Sequence, residues 1–214
     1  MDKPLIPEQV AHYIDSLVPP RPPELKKMEE EAEKSDFPII GPACGYLCYQ
    51  VARMTGAQHI FELGSGFGYS TAWFAQAVQE NGGGEVHHVV WEPELSQQAR
   101  IHLTKLGYTE DIIQYHVGEA VETLKGMPGP FDLIFNDIEK EDYPASLVVI
   151  EEKLRPGGVL IVDNLLWGGR IFNSEDQEAS TEGIRKVTSL LVHNPDWITT
   201  LLPLRDGIMI AFKK

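Results

Sequence analysis

The stretch HIFELGSGFGYSTAWFAQAVQ, residues 59–79, combines a short apolar strand, a glycine-rich loop and a helix that ends at NGGG. The same alternation of strand and helix continues to residue 193. The further strands are EVHHVVWE (85–92), IIQYHV (112–117), FDLIF (131–135) and VLIVD (159–163), and the further helices span 94–106, 119–124, 143–154 and 181–193. Alternation at these lengths predicts an α/β fold, a parallel sheet with helices on both faces.

The last part of the chain departs from this alternation. TTLLPLR (199–205) and IMIAFKK (208–214) both have strand patterning, and only Asp206 and Gly207 separate them. Asp-Gly is a strong signal for a hairpin turn. The sequence therefore predicts seven strands, of which five or six are parallel and the last is antiparallel to its neighbour.

Residues 1–36 are predicted to form a helical lead-in to the domain that spans residues 37–214, with a single domain overall. A helix starts near Pro7 and runs to about Leu17, VPPRPP (18–23) interrupts it, and the charged helix ELKKMEEEAEK (24–34) follows. VPPRPP could be a ligand for a partner domain, but a stiff connector is favoured on general grounds.

Composition excludes several classes of partner. The chain has 214 residues and a formal net charge of −14, which argues against nucleic acid or an anionic membrane as the main partner. No apolar run approaches the roughly 18 residues of a membrane span, and the first residues lack the pattern of a signal peptide. Sparse cysteine use favours a reducing compartment. We therefore expect a cytoplasmic protein in which Cys44 and Cys48 are two small buried thiols.

The glycine loop and two glutamates suggest a nucleoside ligand. The glycines Gly64, Gly66 and Gly68 allow close approach to the backbone, although their G-x-G-x-G spacing is not that of dinucleotide enzymes. Glu92, at the predicted end of the second strand, can accept hydrogen bonds from ribose hydroxyls. Glu62 lies inside a buried strand and needs a partner, which a cationic ligand would supply. The alternatives are a tight turn, a carboxylate at a helix start and a structural salt bridge.

Oxygen-bearing side chains follow two of the apolar strands. Asp137 comes directly after one strand, and Asp163 and Asn164 come at the end of the next. If these strands are neighbours, the three side chains converge where ligands bind in open α/β sheets. Carboxylate and amide oxygens suit Mg²⁺ or Ca²⁺. The alternative is that these residues cap turns.

Lys140 follows Asp137 by three residues and is a candidate general base. A nearby divalent cation favours the neutral amine and acidifies a bound hydroxyl, so the two together could deprotonate a substrate. The alternative is an exposed lysine that pairs with the neighbouring carboxylates of Glu139, Glu141 or Asp142.

Six segments taken together resemble the cation-dependent O-methyltransferases, the family that includes catechol and caffeoyl-coenzyme A O-methyltransferases, and its bacterial members most closely. The segments are FPIIGP, FELGSGFGYS, WEPE, FDLIFNDIEK, LRPGGVLIVDNLLWGGR and LPLRDGIMIAF, which occur in this order from Phe37 onward. The resemblance implies S-adenosylmethionine as cofactor and a Rossmann-like, seven-stranded class I methyltransferase sheet with an antiparallel last strand.

The resemblance also implies roles for individual residues. Asp137, Asp163 and Asn164 match the metal ligands, with Mg²⁺ expected and Ca²⁺ or Mn²⁺ as alternatives, and Lys140 matches the general base beside Asp137. The residues that match cofactor contacts are Ile40, Glu62, Gly64, Gly66, Ser70, Glu92, Gly118, Ala120 and Asp137. The expected acceptor is a small aromatic vicinal diol, and the expected assembly is a homodimer.

This sequence departs from parts of the family. The animal catechol enzymes grip the second hydroxyl with a glutamate near the C-terminus, whereas LLPLRDG has no carboxylate before Asp206. The segment EDQEAS (175–180) is acidic and does not suit a coenzyme A phosphate. Trp167, Arg170 and Phe172 border the acceptor pocket or else pack the loop. The rival functions are a metal-independent methyltransferase, an NAD(P)-dependent oxidoreductase and a catalytically silent protein that binds S-adenosylmethionine.

Overall fold

The computed structural model describes residues 5–214, so what is predicted for residues 1–4 of the lead-in lies outside the described chain. Within this range the helices follow the apolar periodicity of the sequence. They are α1 Glu8–Ser16, α2 Pro23–Ser35, α3 Gly41–Thr55, α4 Tyr69–Glu80, α5 Pro93–Lys105, α6 Ala120–Gly126, α7 Tyr143–Lys153 and α8 Ala179–His193. Two 3₁₀ segments, Lys140–Asp142 and Trp167–Phe172, follow strands at the same edge of the sheet.

Seven strands form one sheet in the order β3-β2-β1-β4-β5-β7-β6. They are β1 His59–Leu63, β2 Glu85–Val90, β3 Ile113–Val117, β4 Phe131–Asn136, β5 Leu154–Val162, β6 Trp197–Leu202 and β7 Ile208–Lys213. Strands β1 to β5 pair in parallel, and β7 is antiparallel to both β5 and β6. The predicted seven-stranded sheet with a reversed last strand is confirmed.

Helices cover both faces of the sheet, as predicted, because apolar side chains on successive strand residues point in opposite directions. Ile60 and Phe135 pack into the core under α2 to α5. Phe61 and Ile134 pack into the core under α6 to α8. The core on the first face also contains residues of α2, which belongs to the predicted lead-in. The division at residue 37 stays a prediction.

Three strands have predicted boundaries that are wrong by two residues or more. β6 spans Trp197–Leu202 where 199–205 was predicted, because Pro203 has no N–H for a ladder hydrogen bond, so five residues and not two separate it from β7. β2 ends at Val90, and Glu92 is the N-cap of α5, because Pro93 favours the first position of a helix. β5 begins at Leu154 and therefore includes the predicted turn 155–158, where the pairing with β4 shifts register. β5 ends at Val162, so Asp163 follows the strand.

The two cysteines are buried, as expected. Cys44 and Cys48 are free thiols in α3, and burial raises the pKa of Cys44 to about 12.

Among residues 5–214 there is no helix with the length and apolarity needed to cross a membrane.

Candidate active site

The ends of β1, β4 and β5 bring Asp137 and Asp163 to one edge of the sheet. Asn136 pairs with Val162, so the two aspartates occupy the next position of adjacent strands. The main-chain N–H of Asp163 donates to the carbonyl of Asn136 at 3.2 Å, and that of Asp137 donates to the carbonyl of Leu63 at 2.8 Å. The structure thus places the two carboxylates at the carboxyl end of the parallel strands, where α/β sheets bind ligands.

Asp163 is a fully buried carboxylate with one oxygen paired and one unpaired. Arg205 Nη1 donates to its Oδ2 at 2.8 Å, whereas its Oδ1 is buried without a hydrogen-bond partner among the described residues. Burial, together with the negative charge of Asp137, raises the pKa of Asp163 to about 6. A buried oxygen without a donor is costly, and a cation can satisfy it.

Asn164 is positioned by the loop between β6 and β7. Its backbone is left-handed, with φ of 63°, and its Nδ2 donates to Asp206 Oδ2 at 3.4 Å. Asp206 Oδ1 also accepts from the N–H of Gly168 at 2.6 Å. Because the amide nitrogen faces Asp206, the amide oxygen of Asn164 remains available to a ligand.

Lys140 lies in the first turn after β4 and points back to the strand end. Its Nζ donates to Asp137 Oδ1 at 2.8 Å and to the carbonyl of Ile138 at 2.9 Å. The ammonium lies 5.2 Å from the centre of the Tyr143 ring and 5.8 Å from that of Trp167. The alternative of an exposed lysine paired with its acidic neighbours is wrong, since its side chain is only 12% exposed.

Glu62, in β1, is a second fully buried carboxylate at this edge of the sheet. Thr71 donates a hydrogen bond of 2.5 Å to Glu62 Oε2, and Thr71 Oγ1 lies 3.1 Å from His88 Nδ1. Glu62 Oε1 is buried and has no partner within residues 5–214. Burial raises the pKa of Glu62 to about 7, although the nearby hydroxyls of Ser70, Thr71 and Ser65 act to lower it. No salt bridge pairs Glu62 in the described part of the chain, so the structural alternative for this residue is wrong.

The glycine loop packs closely against the strand end that carries Asp137. Gly64 has φ of 84°, and a Cβ at this position would overlap the carbonyl oxygen of Asp137. Gly66 faces the ring of Phe37, which a Cβ would meet at 3.0 Å. A narrow cleft follows the loop and is lined by residues 37–40 and 64–67 together with Tyr69, Ser70 and Asp137. The glycines therefore allow both tight packing and approach from the cleft.

The remaining predicted cofactor residues lie around this loop and farther along the edge. Ile40 is buried at the start of α3 and belongs to the cleft. Glu92 is exposed, and its side chain makes no capping hydrogen bond. The N–H of Gly118 donates to the carbonyl of Val90 at 3.0 Å, which ties the end of β3 to β2, and Ala120 begins α6. Glu92 and Gly118 thus follow neighbouring strands.

Unusual backbone conformations concentrate at this edge. Four non-glycine residues in the described chain have positive φ, and three of them are Asn164, Trp167 and Arg205. Such strain persists where the surroundings enforce it, often at functional sites. Trp167 Nε1 is buried and has no hydrogen-bond partner among residues 5–214, whereas Arg170 pairs with Asp176 at 2.7 Å and Phe172 is exposed.

Sequence reasoning missed four residues that shape this edge. Thr71 and His88 are polar positions inside otherwise apolar elements, which gives a weak signal. Tyr143 donates from its hydroxyl to the carbonyl of Asp163 at 3.1 Å, and its ring supports Lys140. The sequence pattern gave Arg205 no role: it lies in LLPLRDG, the segment that has no carboxylate before Asp206. In the sequence Arg205 is a basic residue beside the Asp-Gly turn, and this signal does not indicate its partner.

The donor atoms fit a hard divalent cation. Asp163 Oδ1 lacks a hydrogen bond, and Asp137 Oδ2 and the amide oxygen of Asn164 make none with other described residues. Carboxylate and amide oxygens are the usual ligands of Mg²⁺ and Ca²⁺. Between residues 5 and 214 no cluster of three His, Cys, Asp or Glu side chains could hold a metal, so a cation here depends on the amide as third ligand.

The strand order, the reversed β7 and the glycine loop after β1 define a class I methyltransferase fold. Residues 10–214 match the model of a protein family described as O-methyltransferase, and the chain belongs to this family. A catechol O-methyltransferase from Niastella koreensis is 28% identical over 218 residues, which cover 97% of each chain.

Two solved structures show the same likeness. The O-methyltransferase TomG from Streptomyces achromogenes, involved in tomaymycin synthesis and solved with SAM, is 28% identical over 96% of both chains, with a TM-score of 0.85. An O-methyltransferase from Bacillus cereus, solved with SAH, is 25% identical and has a TM-score of 0.86, with coverage of 96% of this chain and 97% of that one.

Proposed function

We propose that this chain transfers a methyl group from S-adenosylmethionine to a hydroxyl of a small aromatic vicinal diol, with the help of a divalent cation. The observation that carries the proposal is the group of unpaired oxygens on Asp137, Asp163 and Asn164 beside the amine of Lys140. Membership of the O-methyltransferase family and the catechol O-methyltransferase relative support the reaction class.

The cleft along the glycine loop suits S-adenosylmethionine, which supplies an electrophilic methyl group. Glu62 Oε1, buried and unpaired, would accept from the ammonium of the cofactor. Glu92 would accept from the ribose hydroxyls. The other residues assigned to this cofactor are Ile40, Gly64, Gly66, Ser70, Gly118, Ala120 and Asp137. The similar structures solved with SAM and SAH support the same ligand here.

Asp137, Asp163 and Asn164 would hold the divalent cation, with Mg²⁺ as the first choice for an all-oxygen donor set. A cation bound there would act as a Lewis acid that lowers the pKa of a bound hydroxyl and stabilises the resulting oxyanion. Asp206 would keep the amide oxygen of Asn164 aimed at the site, because it accepts from the amide nitrogen. Such support fixes the orientation of a ligand side chain.

Lys140 would accept the proton of the acceptor hydroxyl at Nζ. Its present hydrogen bonds to Asp137 and to the carbonyl of Ile138 hold Nζ at the strand end where the diol would lie. The rings of Tyr143 and Trp167 shield it from water. Correct placement of the two reacting groups supplies much of the catalysis in a transfer of this kind. Trp167, Arg170 and Phe172 would border the acceptor.

The test is methyl transfer from labelled S-adenosylmethionine to a panel of catechols, with the corresponding monophenols as matched acceptors. We expect transfer to the vicinal diols in Mg²⁺ and a loss of at least about a hundredfold in EDTA. Transfer to monophenols at the same rate would refute the chelating acceptor. No transfer to any acceptor, despite measured binding of the cofactor, would favour a catalytically silent protein.

A metal-independent methyltransferase is the second candidate. One observation favours it: both proposed acidic ligands already pair with a cation of the chain, Asp137 with Lys140 and Asp163 with Arg205. Activity that survives EDTA would establish this second function. A nicotinamide cofactor has no comparable support, because the glycine spacing and the family both point elsewhere.

We also propose that the chain forms a homodimer. Apolar side chains are exposed on α1, at Val10 and Tyr13, directly after it, at Leu17, and on the β6–β7 hairpin, at Ile198 and Phe212. Exposed apolar groups of this kind are common at interfaces between subunits. One chain has a mass of 23.9 kDa, and light scattering after gel filtration should give twice this value. A monomer at high concentration would contradict the proposal.

A further inference from the structure

Both carboxylates of the proposed cation site already carry a positive partner from the chain. Lys140 Nζ lies 2.8 Å from Asp137 Oδ1, and Arg205 Nη1 lies 2.8 Å from Asp163 Oδ2. These two basic partners cancel the charge of the two carboxylates. Asp206, which accepts from Asn164, adds one negative charge, so a divalent cation would meet a net charge of −1, whereas the three carboxylates alone would present −3.

The two positive partners are not equivalent. Lys140 pairs over a sequence separation of three residues and carries the proposed role of base. Arg205 pairs over 42 residues, so its position depends on the loop between β6 and β7. This loop is fixed by main-chain hydrogen bonds, from Leu166 to Asp206 at 2.8 Å and from Leu165 to Gly207 at 2.9 Å.

The conformation of the loop and the contacts of the side chain hold Arg205 against Asp163. Its backbone adopts φ of 51°, which only a well-determined loop enforces on a non-glycine residue. Its side chain is 35% exposed and borders a cavity of about 100 Å³ with Ile40, Cys44 and residues of α1. The guanidinium donates to Oδ2 of the buried Asp163 carboxylate, whereas Oδ1 has no hydrogen-bond partner among the described residues. Arg205 therefore neutralises the charge of Asp163 without blocking the proposed ligand atom.

We propose that Arg205 is a positioning residue that sets the cation affinity of this site, and this inference rests on the proposed function. Arg205 holds the Asp163 carboxylate in place through Oδ2 when no divalent cation is bound. It also lowers the affinity for that cation, because its positive charge faces the same carboxylate. Ligand charge is one of the main determinants of affinity at oxygen-ligand sites. The site would then bind Mg²⁺ weakly and reversibly, with its shape retained between turnovers.

The test compares Arg205→Met, Arg205→Gln and Arg205→Lys by calorimetric titration with Mg²⁺ in the presence of S-adenosylhomocysteine. We expect the two neutral variants to bind Mg²⁺ about tenfold more tightly than the unaltered chain, and the lysine variant to bind it as the unaltered chain does. Arg53→Met is the matched control, because Arg53 pairs with Glu80 at the far end of α3.

Thermal unfolding supplies a second readout. Without Mg²⁺, the neutral variants should melt at a lower temperature than the unaltered chain, because a buried charge loses its partner. Saturating Mg²⁺ should restore their melting temperature. A role in structure alone predicts the loss of stability without this rescue. If Arg205→Met does not fold, Arg205→Gln carries the test, because its amide can still donate to Asp163.

The possible failures are distinguishable. If the unaltered chain binds Mg²⁺ and both neutral variants bind it equally or more weakly, the role of Arg205 is refuted and the proposed function stands. Neutral variants that Mg²⁺ fails to rescue in the melting experiment refute it too. If the unaltered chain does not bind Mg²⁺ at all, the metal-dependent function fails, and the inference about Arg205 fails with it.

Discussion

Replacement of Glu62 by glutamine should weaken cofactor binding and stabilise the free protein at the same time. The variant keeps the size of the side chain and an acceptor for Thr71, and it removes the negative charge. A charge-assisted hydrogen bond to an ammonium contributes about 1.5–3 kcal/mol, so S-adenosylhomocysteine should bind roughly 10–150-fold more weakly.

The stability change has the opposite sign. Burial raises the pKa of Glu62 from 4.5 to about 7. A carboxyl group whose pKa is raised in the folded chain contributes stability below its unfolded pKa, and this contribution is lost as the pH rises through the folded pKa. A rise in pKa of this size corresponds to about 3 kcal/mol. Glu62→Gln should therefore raise the free energy of unfolding of the free protein at about pH 8 by up to that amount.

Two measurements check both effects. Calorimetric titration with S-adenosylhomocysteine should show that the unaltered chain gains about tenfold in affinity between about pH 6 and about pH 8, as Glu62 becomes ionised. Glu62→Gln should show no such gain. Urea unfolding gives the stability of both chains, and Glu122→Gln is the control, because Glu122 is exposed and pairs only with Lys125. A glutamine variant that binds the ligand as tightly as the unaltered chain, or that is less stable at about pH 8, would refute the reasoning.

Three further predictions follow from the geometry of the site. Lys140→Met should lower the rate of methyl transfer about 10²–10⁴-fold with unchanged S-adenosylhomocysteine binding in calorimetry, whereas a full rate would remove the base assignment. Gly64→Ala should destabilise the chain by about 1–3 kcal/mol more than the control Gly56→Ala in urea unfolding. Both glycines have positive φ, but of the two only Gly64 would place a Cβ in overlap with a neighbour, the carbonyl of Asp137. Equal losses of stability would contradict this. Trp167→Phe should leave the free energy of unfolding unchanged or raise it, because the buried indole N–H has no partner in the described part of the chain; a large loss in urea unfolding would contradict this.

The sequence predicted those features that depend on periodicity and on the topology of parallel sheets. The alternation of strands and helices determined the sheet, and the Asp-Gly turn determined the reversed β7. Asp137 and Asp163 could be brought together from the sequence because each follows an apolar strand and β4 pairs with β5. The predicted second strand ran two residues too far, although Pro93 was available in the sequence as a signal that α5 begins there and that Glu92 precedes it as the N-cap.

What the sequence did not predict depends on contacts across long separations. The partner of Arg205 lies 42 residues away on another strand end, and no local pattern specifies this pair. The bonds among Glu62, Thr71 and His88 join β1, α4 and β2 through single polar residues in apolar elements. Their pairing follows from how α4 lies on the sheet, which the helical periodicity alone does not determine.

The proposed cation site can be tested by binding of Mn²⁺ in the presence of S-adenosylhomocysteine, followed by electron paramagnetic resonance. We expect one bound ion for each chain, displaced by Mg²⁺, and a loss of this binding in both Asp137→Asn and Asp163→Asn. The cation site is contradicted if the unaltered chain binds no Mn²⁺, or if Asp137→Asn and Asp163→Asn bind Mn²⁺ as tightly as the unaltered chain does.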